Sequence, residues 1–178
     1  MSNLHNEENV EKGELGETWF MDQYNGKNKR TVIDLNKYDK NHQGSDFLIA
    51  LKDEEMEKLS VSKPSEENTY KGYLVDAKLR DLSKQNDISK LQFDECNFFG
   101  FVYPDEKVFR FLTAERFAFD DLGKPSRGLK QTKYSTIYRT TYNNECELDM
   151  EVVIKELIDR KIKPTEWSKP PTLVGYFQ

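Results

Sequence analysis

Asp76 and Lys78 lie two residues apart in the segment "GYLVDAKLRD", where the residues immediately around them are apolar. The β-branched and aliphatic residues of this segment predict a strand. Side chains alternate between the two faces of a strand, so Asp76 and Lys78 should share one face with Leu74, with the two charges about 7 Å apart. Burying either charge is unfavourable unless it is paired or binds a metal ion. The pair therefore indicates either a solvated strand face with an ion pair or a metal site.

A second aspartate, Asp46, opens the strand-like segment "DFLIAL" upstream of this pair. If residues 52–69 form the tip of a hairpin, the two strands are antiparallel neighbours and Asp46 and Asp76 converge. Mg²⁺ prefers oxygen ligands and is usually held by one or two carboxylates together with waters and phosphate oxygens. An ammonium such as that of Lys78 can orient the attacking water and stabilise the transition state. The three residues predict phosphodiester hydrolysis with Mg²⁺, or with Mn²⁺ as an alternative metal.

The spacing of an acid two residues before a lysine is not specific, since it also occurs at Asp105 with Lys107 and at Asp159 with Lys161. Those pairs fall in a predicted turn and near the end of a predicted helix, whereas Asp76 stands on a predicted strand. The strand setting therefore carries the prediction. Carboxylates more than about 7 Å apart could not share one Mg²⁺, whose ligand distances are near 2.1 Å.

The order of predicted elements is a helix, several strands, a basic turn region and a closing helix. Apolar residues at helical spacing predict a first helix at 7–24 and a closing helix at 145–163. Between them, five β-rich segments predict strands: "TVIDL", "DFLIAL", "YKGYLVDAKL", "CNFFGFVYP" and "KVFRFLTAERFAF". The chain has 178 residues, and we expect one domain over 1–178, flexible at 1–6. The order predicts a mixed α/β (α+β) fold with helices packed on a central mixed sheet.

The segments "GSDFLIAL" and "YLVDAKL" together resemble the PD-(D/E)xK nuclease superfamily, and the resemblance covers Gly13 to about Phe119. It implies a restriction-endonuclease-like core in which a hairpin joins Asp46 to the strand that carries the acid and the lysine. An N-terminal helix of that family contributes a glutamate, and "KGELGETWF" resembles this helix. Glu17 is then the third acid and Glu14 the weaker choice. The chain departs from the family in having Ser45 where a proline usually precedes the aspartate.

The formal net charge is −5, but residues 122–143 carry five basic residues and no acid. Tyrosines are interleaved with these basic residues, a composition typical of surfaces that contact phosphates and stack on bases. A solvated loop has a similar composition and is the alternative. The predicted DNA-binding residues are Lys124, Arg127, Lys130, Lys133, Tyr134 and Arg139.

Several classes of protein are disfavoured by what the sequence lacks. The only histidines are His5 and His42, which argues against histidine-based nucleases and hydrolases, and no glycine-rich phosphate loop is present. Cys96 and Cys146 are too far apart for a Cys-x-x-Cys site, so both are expected to be free thiols. The acidic first segment lacks a secretory leader, and the apolar runs are shorter than a membrane span. We expect a cytoplasmic protein that does not bind membranes.

These features predict a Mg²⁺-dependent DNA endonuclease whose likeness to restriction enzymes implies cleavage of foreign DNA. Junction resolution and repair nicking are the other roles that such a fold would allow. Cutting both strands with one site per chain would require a homodimer. The alternative is a catalytically inert protein of the same fold, or an acidic binding protein that regulates a nucleic-acid enzyme.

Overall fold

The computed structural model describes residues 14–26, 29–38, 44–79, 86–102, 108–115, 129–131, 136–140 and 147–171. Four helices lie within these ranges: α1 at 14–24, α2 at Asp53–Lys58, α3 at Lys90–Glu95 and α4 at Met150–Asp159. A 3₁₀ turn spans Leu35–Lys37. The described strands are β1 Val32–Asp34, β2 Phe47–Ala50, β3 Thr69–Leu79, β4 Asn86–Ser89, β5 Phe98–Val102, β6 Phe109–Thr113, β7 Leu129–Gln131, β8 Thr136–Thr140 and β9 Thr165–Ser168.

The strands form one sheet of six strands and one of three. In the larger sheet the order is β1-β2-β3-β5-β6, and β9 pairs with the first residues of β3. Strand β3 is antiparallel to β2 and β9 but parallel to β5, which it reaches through the crossover that contains α3. The smaller sheet has the order β4-β8-β7. The larger sheet is therefore mixed and flanked by helices, and the predicted mixed α+β fold is confirmed.

Helix α1 is held on the larger sheet by Phe20, which is fully buried. Its ring stacks on Phe47 of β2 at 4.6 Å and meets Phe109 of β6 edge-on at 5.3 Å. On the same side of the sheet, α4 buries Ile154 and Leu157 in the same apolar cluster. Burial of these large side chains fixes α1 against the sheet, and Glu17, which lies one turn before Phe20, is fixed with it.

Helix α2 lies inside residues 52–69, where the sequence predicts only a hairpin tip. Met56 is the buried residue of α2 and joins the main apolar cluster. Glu55 of the same helix receives two bonds from the buried Arg30 guanidinium, at 2.5 and 2.6 Å. Glu151 of α4 receives two more, at 2.7 and 2.6 Å. We call Arg30, Glu55 and Glu151 the arginine cluster; it ties the segment before β1 to two helices.

The remaining differences from the predicted elements are local. Strand β9 was not predicted, and it is only four residues long. Helix α4 is shorter than the predicted 145–163, and it buries Val153, Ile154 and Leu157 while Leu148 and Val152 stay exposed. Residues 7–13 of the predicted first helix lie outside the described part of the chain. Within that described part, the helices are all too short or too polar to span a bilayer.

Candidate functional site

The pairing of β2 with β3 brings Asp46 beside Asp76. Phe47 pairs with Val75, so the residue that precedes β2 faces the next residue of β3. The Asp46 N–H continues the ladder by donating to the Val75 carbonyl at 3.0 Å. The charge and side chain of Asp76 raise the pKa of Asp46, which indicates that the two carboxyl groups are neighbours.

Asp76 is almost completely buried, with 2% of its surface exposed. Its strand neighbour Leu74 belongs to one apolar cluster, and its partner on β5, Phe99, belongs to another, so the carboxylate lies between two apolar surfaces. Lys78, on the same face, places its Nζ 3.0 Å from Asp76 Oδ2. This ion pair is the one polar contact of Oδ2 among the described residues, and Oδ2 has no hydrogen-bond partner there. A buried carboxylate oxygen without a donor is costly for the fold.

Asp46 accepts two hydrogen bonds besides the one it shares with Asp76. Its Oδ2 accepts from the Ala77 N–H at 3.0 Å, and its Oδ1 accepts from Asn36 Nδ2 at 3.2 Å. Burial raises the pKa of Asp46 well above its usual range, and the charge and hydrogen bond of Asp76 and the charge of Glu17 raise it further. The negative charge of this carboxyl group is therefore strongly opposed by its surroundings.

Glu17 of α1 is the third carboxyl group at this point. Asn36 Nδ2 donates to Glu17 Oε1 at 3.1 Å, so one amide bridges Glu17 and Asp46. Burial raises the pKa of Glu17, as do the charges of Asp34, Asp76 and Glu14, while its hydrogen bond with Asp46 acts in the opposite direction. Glu17, the preferred third acid, thus lies beside Asp46 and is joined to it through the Asn36 amide. We call Glu17, Asp46, Asp76 and Lys78 the acid centre.

The acid centre combines three carboxyl groups with one nearby ammonium group. Such a surplus of buried negative charge is relieved by protonation or by a cation. Neither a family model, a curated protein nor a solved structure matches the chain. The chemistry of the acid centre must therefore be inferred from its own geometry.

The donors of the acid centre fit a hard divalent cation only in part. Oxygen ligands from two adjacent carboxylates, Asp46 and Asp76, suit Mg²⁺, which takes its remaining ligands from water and substrate. The side chains do not stand in a finished arrangement, because the described part of the chain contains no group of three His, Cys, Asp or Glu residues ready to hold a metal. The Asp46 oxygens are instead directed to Asn36, Ala77 and Asp76. A cation would have to displace the hydrogen bond between the two aspartates.

A cysteine and a glutamate lie close to the acid centre and were not predicted there. Cys96 is buried, and its thiol donates to the Gly44 carbonyl at 3.0 Å. Burial raises the pKa of Cys96, and the charges of Asp76, Asp46 and Glu95 raise it further, so the thiol is protonated and unreactive. Gly44 has φ +107°, and a Cβ there would overlap the Glu95 carboxylate. Only glycine suits this position of the loop before β2.

Asn36 is the functional candidate that sequence reasoning missed. It lies in the 3₁₀ turn that follows β1, where the segment "NKYDKNHQGS" predicts only a polar loop. The Asp34 carboxylate caps this turn by accepting from the Asn36 N–H at 3.1 Å. The local signal was therefore an Asp followed two residues later by an Asn, which favours a turn, but contact with Glu17 depends on how α1 packs.

The structure describes two of the six predicted DNA-binding residues. Lys124, Arg127, Lys133 and Tyr134 lie outside the described residues. Lys130 lies on β7, where it pairs with Ile137, and Arg139 lies on β8, where it pairs with Asp87. Two of the predicted residues therefore belong to the smaller sheet, and their contact with DNA stays a prediction. Cys146 also lies outside the described residues, whereas Cys96 is a free thiol.

Proposed function

We propose that the chain is a Mg²⁺-dependent endonuclease that hydrolyses DNA phosphodiester bonds. Asp46 and Asp76 would hold the metal, Lys78 would act on the attacking water, and Glu17 would be the accessory acid. The observation that carries the proposal is the buried Asp76 Oδ2, which faces the Lys78 ammonium at 3.0 Å but lacks a hydrogen-bond donor among the described residues. An acid left in this state suggests a site that is completed by a ligand.

The side chains of the acid centre have distinct roles under this proposal. Bound Mg²⁺ would neutralise charge on the phosphodiester and make a water more acidic. Lys78, whose side chain is 19% exposed, can reach solvent and orient that water beside the phosphate. Asn36 holds Glu17 and Asp46 in one place through a single amide. Asn36 is thus a positioning residue.

The chain topology supports the resemblance to PD-(D/E)xK nucleases. Helix α1 precedes an antiparallel β2-β3 pair, and a crossover with α3 leads to β5, which lies parallel to β3. The resemblance implies this order of a helix with a glutamate, a hairpin with the aspartate and the acid-x-lysine strand, and a further helix and strand. It also favours restriction of foreign DNA as the biological role and a homodimer as the active form.

The second candidate is an inert protein of the same fold that binds nucleic acid or regulates a nucleic-acid enzyme. The observation in its favour is that the described carboxylates do not form a finished three-ligand metal group. In such a protein, the hydrogen bond between Asp46 and Asp76 would be a permanent feature of the core. A cleavage assay separates the two candidates.

The assay incubates supercoiled plasmid DNA with the protein and Mg²⁺ and follows nicked and linear products. We expect wild type to cleave, and we expect Asp76→Asn and Lys78→Ala to lose about 100-fold or more in rate, the effect of removing one electrostatic group from a transition state. Equal cleavage by all three proteins would contradict the assigned roles. A wild-type protein inactive on linear, branched and single-stranded DNA would favour the binding protein.

Two matched controls come from the same elements. Lys71 stands on β3 like Lys78, but its Nζ donates to the Ser62 carbonyl at 2.6 Å, away from the acid centre. Asp53 begins α2, and its side chain is 67% exposed. Lys71→Ala and Asp53→Asn remove the same charges from the chain, and both should cleave at the wild-type rate. A similar loss in these controls would mean that net charge, rather than the acid centre, sets the activity.

A further inference from the structure

An open aromatic cleft lies on the far side of the 3₁₀ turn from the acid centre. Its volume is about 260 Å³, and Tyr38, Tyr70 and Trp167 line it together with Lys37 and Lys169. Ligand pockets for drug-sized molecules are typically about 300–1,000 Å³. The cleft is therefore suited to one flat group of the size of a nucleobase.

At the cleft, Trp167 contacts the rings of both Tyr38 and Tyr70. Tyr70 and Trp167 are direct partners across the β3-β9 pair, and both are half-buried against the small apolar cluster beneath them. Tyr38 lies 5.2 Å from Trp167 between ring centroids, in a tilted arrangement, and 42% of its surface is exposed. Packing in the core explains Tyr70 and Trp167, but it does not explain an exposed tyrosine ring beside them.

The charges at the cleft favour an anionic partner. Lys169 Nζ lies 5.8 Å from the centre of the Tyr38 ring, and Lys37 supplies a second ammonium group. Among the described residues of the lining, the one acid is Asp34, which caps the 3₁₀ turn through the Asn36 N–H. Aromatic rings that stack on bases, together with lysines that contact phosphates, are the combination by which proteins bind single-stranded nucleic acid.

One 3₁₀ turn separates the cleft from the acid centre. Within one 3₁₀ turn, Asn36 contacts Glu17 and Asp46, whereas the neighbouring Lys37 and Tyr38 line the cleft. Tyr70 and Asp76 stand six residues apart on β3, about 20 Å by the rise of a strand. Stacked nucleotides repeat about every 3.4 Å along one strand, so about six of them would cover this distance.

From these observations we propose that the aromatic cleft binds an unpaired base of a single-stranded DNA segment that continues to the acid centre. The inference rests on the proposed function for the identity of its ligand and makes the substrate single-stranded, or locally unpaired, near the cut. Tyr38 stacks on the base beside Trp167, and Lys169 contacts its phosphate.

The test measures binding by the fluorescence of Trp167 in EDTA, where cleavage cannot occur. The chain has two tryptophans, so a Trp19→Phe background makes Trp167 the only reporter. The probes are an eight-nucleotide oligothymidylate and an abasic oligomer of equal length and charge. We expect saturable quenching with the first and none with the second. In the same background, Tyr38→Ala should raise Kd between about 5-fold and 150-fold, the range for losing one stacked base.

Two exposed lysines test the contact with phosphate: Lys169 lines the cleft, and Lys155 is the control. Lys169→Ala should reduce the slope of log Kd against log salt by about 1, the effect of losing one phosphate contact. Lys155→Ala, on α4, should leave the slope unchanged, because its side chain is 77% exposed and pairs with Asp159 of its own helix. Equal Kd values for the two oligomers, or an unchanged Kd in Tyr38→Ala, would overturn the inference.

Failure of this inference and failure of the proposed function are distinguishable. If the protein cleaves plasmid DNA with Mg²⁺ but shows no base-dependent quenching, the proposed nuclease function stands and the proposed binding of a base in the cleft is wrong. If quenching depends on the base but no divalent ion supports cleavage, the cleft binds single-stranded DNA and the proposed nuclease function is wrong.

Discussion

The arginine cluster and the acid centre each surround a buried charged group, Arg30 and Asp76, but their charges are balanced differently. Arg30 makes four bonds of 2.5 to 2.7 Å to Glu55 and Glu151, so its guanidinium is fully engaged. The acid centre has three carboxyl groups and one ammonium group, which pairs with Asp76, and Asp76 Oδ2 has no hydrogen-bond partner among the described residues. One cluster is complete as folded, and the other is complete only with a proton or a cation.

The pKa of a carboxyl group is lowered in the arginine cluster and raised in the acid centre. Burial would raise the pKa of Glu55, but its hydrogen bonds to Arg30 and to the Lys52 N–H overcome that effect and lower the pKa. Burial raises the pKa of Asp46, and the neighbouring acids add to the effect. The difference teaches that burial alone does not reveal a functional site. The informative sign is a buried acid whose surroundings oppose its charge.

Removing Arg30 should have the largest effect on stability. Arg30→Ala leaves Glu55 buried without its cation, and breaking a buried pair in this way costs about 3–5 kcal/mol. The measurement is urea unfolding at pH 7. Lys155→Ala, which breaks an exposed pair with Asp159 at 3.5 Å, is the control and should cost less than about 0.5 kcal/mol. A loss below about 1 kcal/mol for Arg30→Ala would mean that the cluster does not hold α2 and α4 in place.

Glu55→Gln should cost about 1.5–3 kcal/mol at pH 7, because the new amide nitrogen cannot accept from Arg30 and one of the two hydrogen bonds to the guanidinium is lost. The effect should depend on pH with a defined sign. A lowered folded-state pKa stabilises the fold above the ordinary glutamate range, and that stability is lost as pH falls through the folded pKa. Wild type and variant should therefore converge in acid. Unfolding free energies between about pH 7 and pH 3 test this, and a gap that widens in acid would be inconsistent with the lowered pKa.

Asp46→Asn should act in the opposite sense and stabilise the metal-free protein, by about 1–2 kcal/mol. The carbonyl oxygen of the new side chain can still accept from the Ala77 N–H, while its amide group no longer accepts from Asn36 but can donate to a neighbouring acid. Because the folded-state pKa of Asp46 is raised, the wild type loses stability as pH rises from the ordinary aspartate range towards the folded pKa.

The gain from Asp46→Asn should therefore be small near about pH 4 and grow towards about pH 8, as measured by urea unfolding in EDTA. Asp53→Asn is the control, since it removes the charge of an exposed acid outside the acid centre. If Asp46→Asn destabilised the protein at every pH, the Asp46 carboxylate would stabilise the fold, as the carboxylate of Glu55 does in the arginine cluster.

The positions of Asp46, Asp76 and Lys78 could be predicted from local sequence patterns, but the contacts of the arginine cluster could not. Period-two alternation put Asp76 and Lys78 on one face, and the hairpin pattern brought Asp46 beside them. Both depend on pairing between strands that are close in sequence. The contact of Arg30 with Glu151 joins residues 121 positions apart, and no local pattern encodes it.

Other features were missed because tertiary contacts decide them. Helix α2 buries Met56 alone and gains Glu55 through Arg30, so its segment shows too little apolar periodicity to predict a helix. Strand β9 depends on pairing with β3. Asn36 acquires its role only when α1 packs against the sheet. The nuclease activity and the metal stay predictions, because the geometry of a site does not by itself establish its chemistry.

The smallest expected effect is the most direct test of what completes the acid centre. If Mg²⁺ or Mn²⁺ binds there, it should stabilise wild type by about 1.4 kcal/mol at about ten times its Kd, and the shift should grow with concentration. Thermal unfolding measures this without any substrate, at constant ionic strength with NaCl as the reference. The double variant Asp46→Asn with Asp76→Asn should show no shift, because both proposed ligands lose their charge. Glu55→Gln should keep the full shift, since it alters only the arginine cluster. An equal shift in the double variant would move the divalent ion away from Asp46 and Asp76, and the proposed metal site would be wrong even if the protein cleaved DNA.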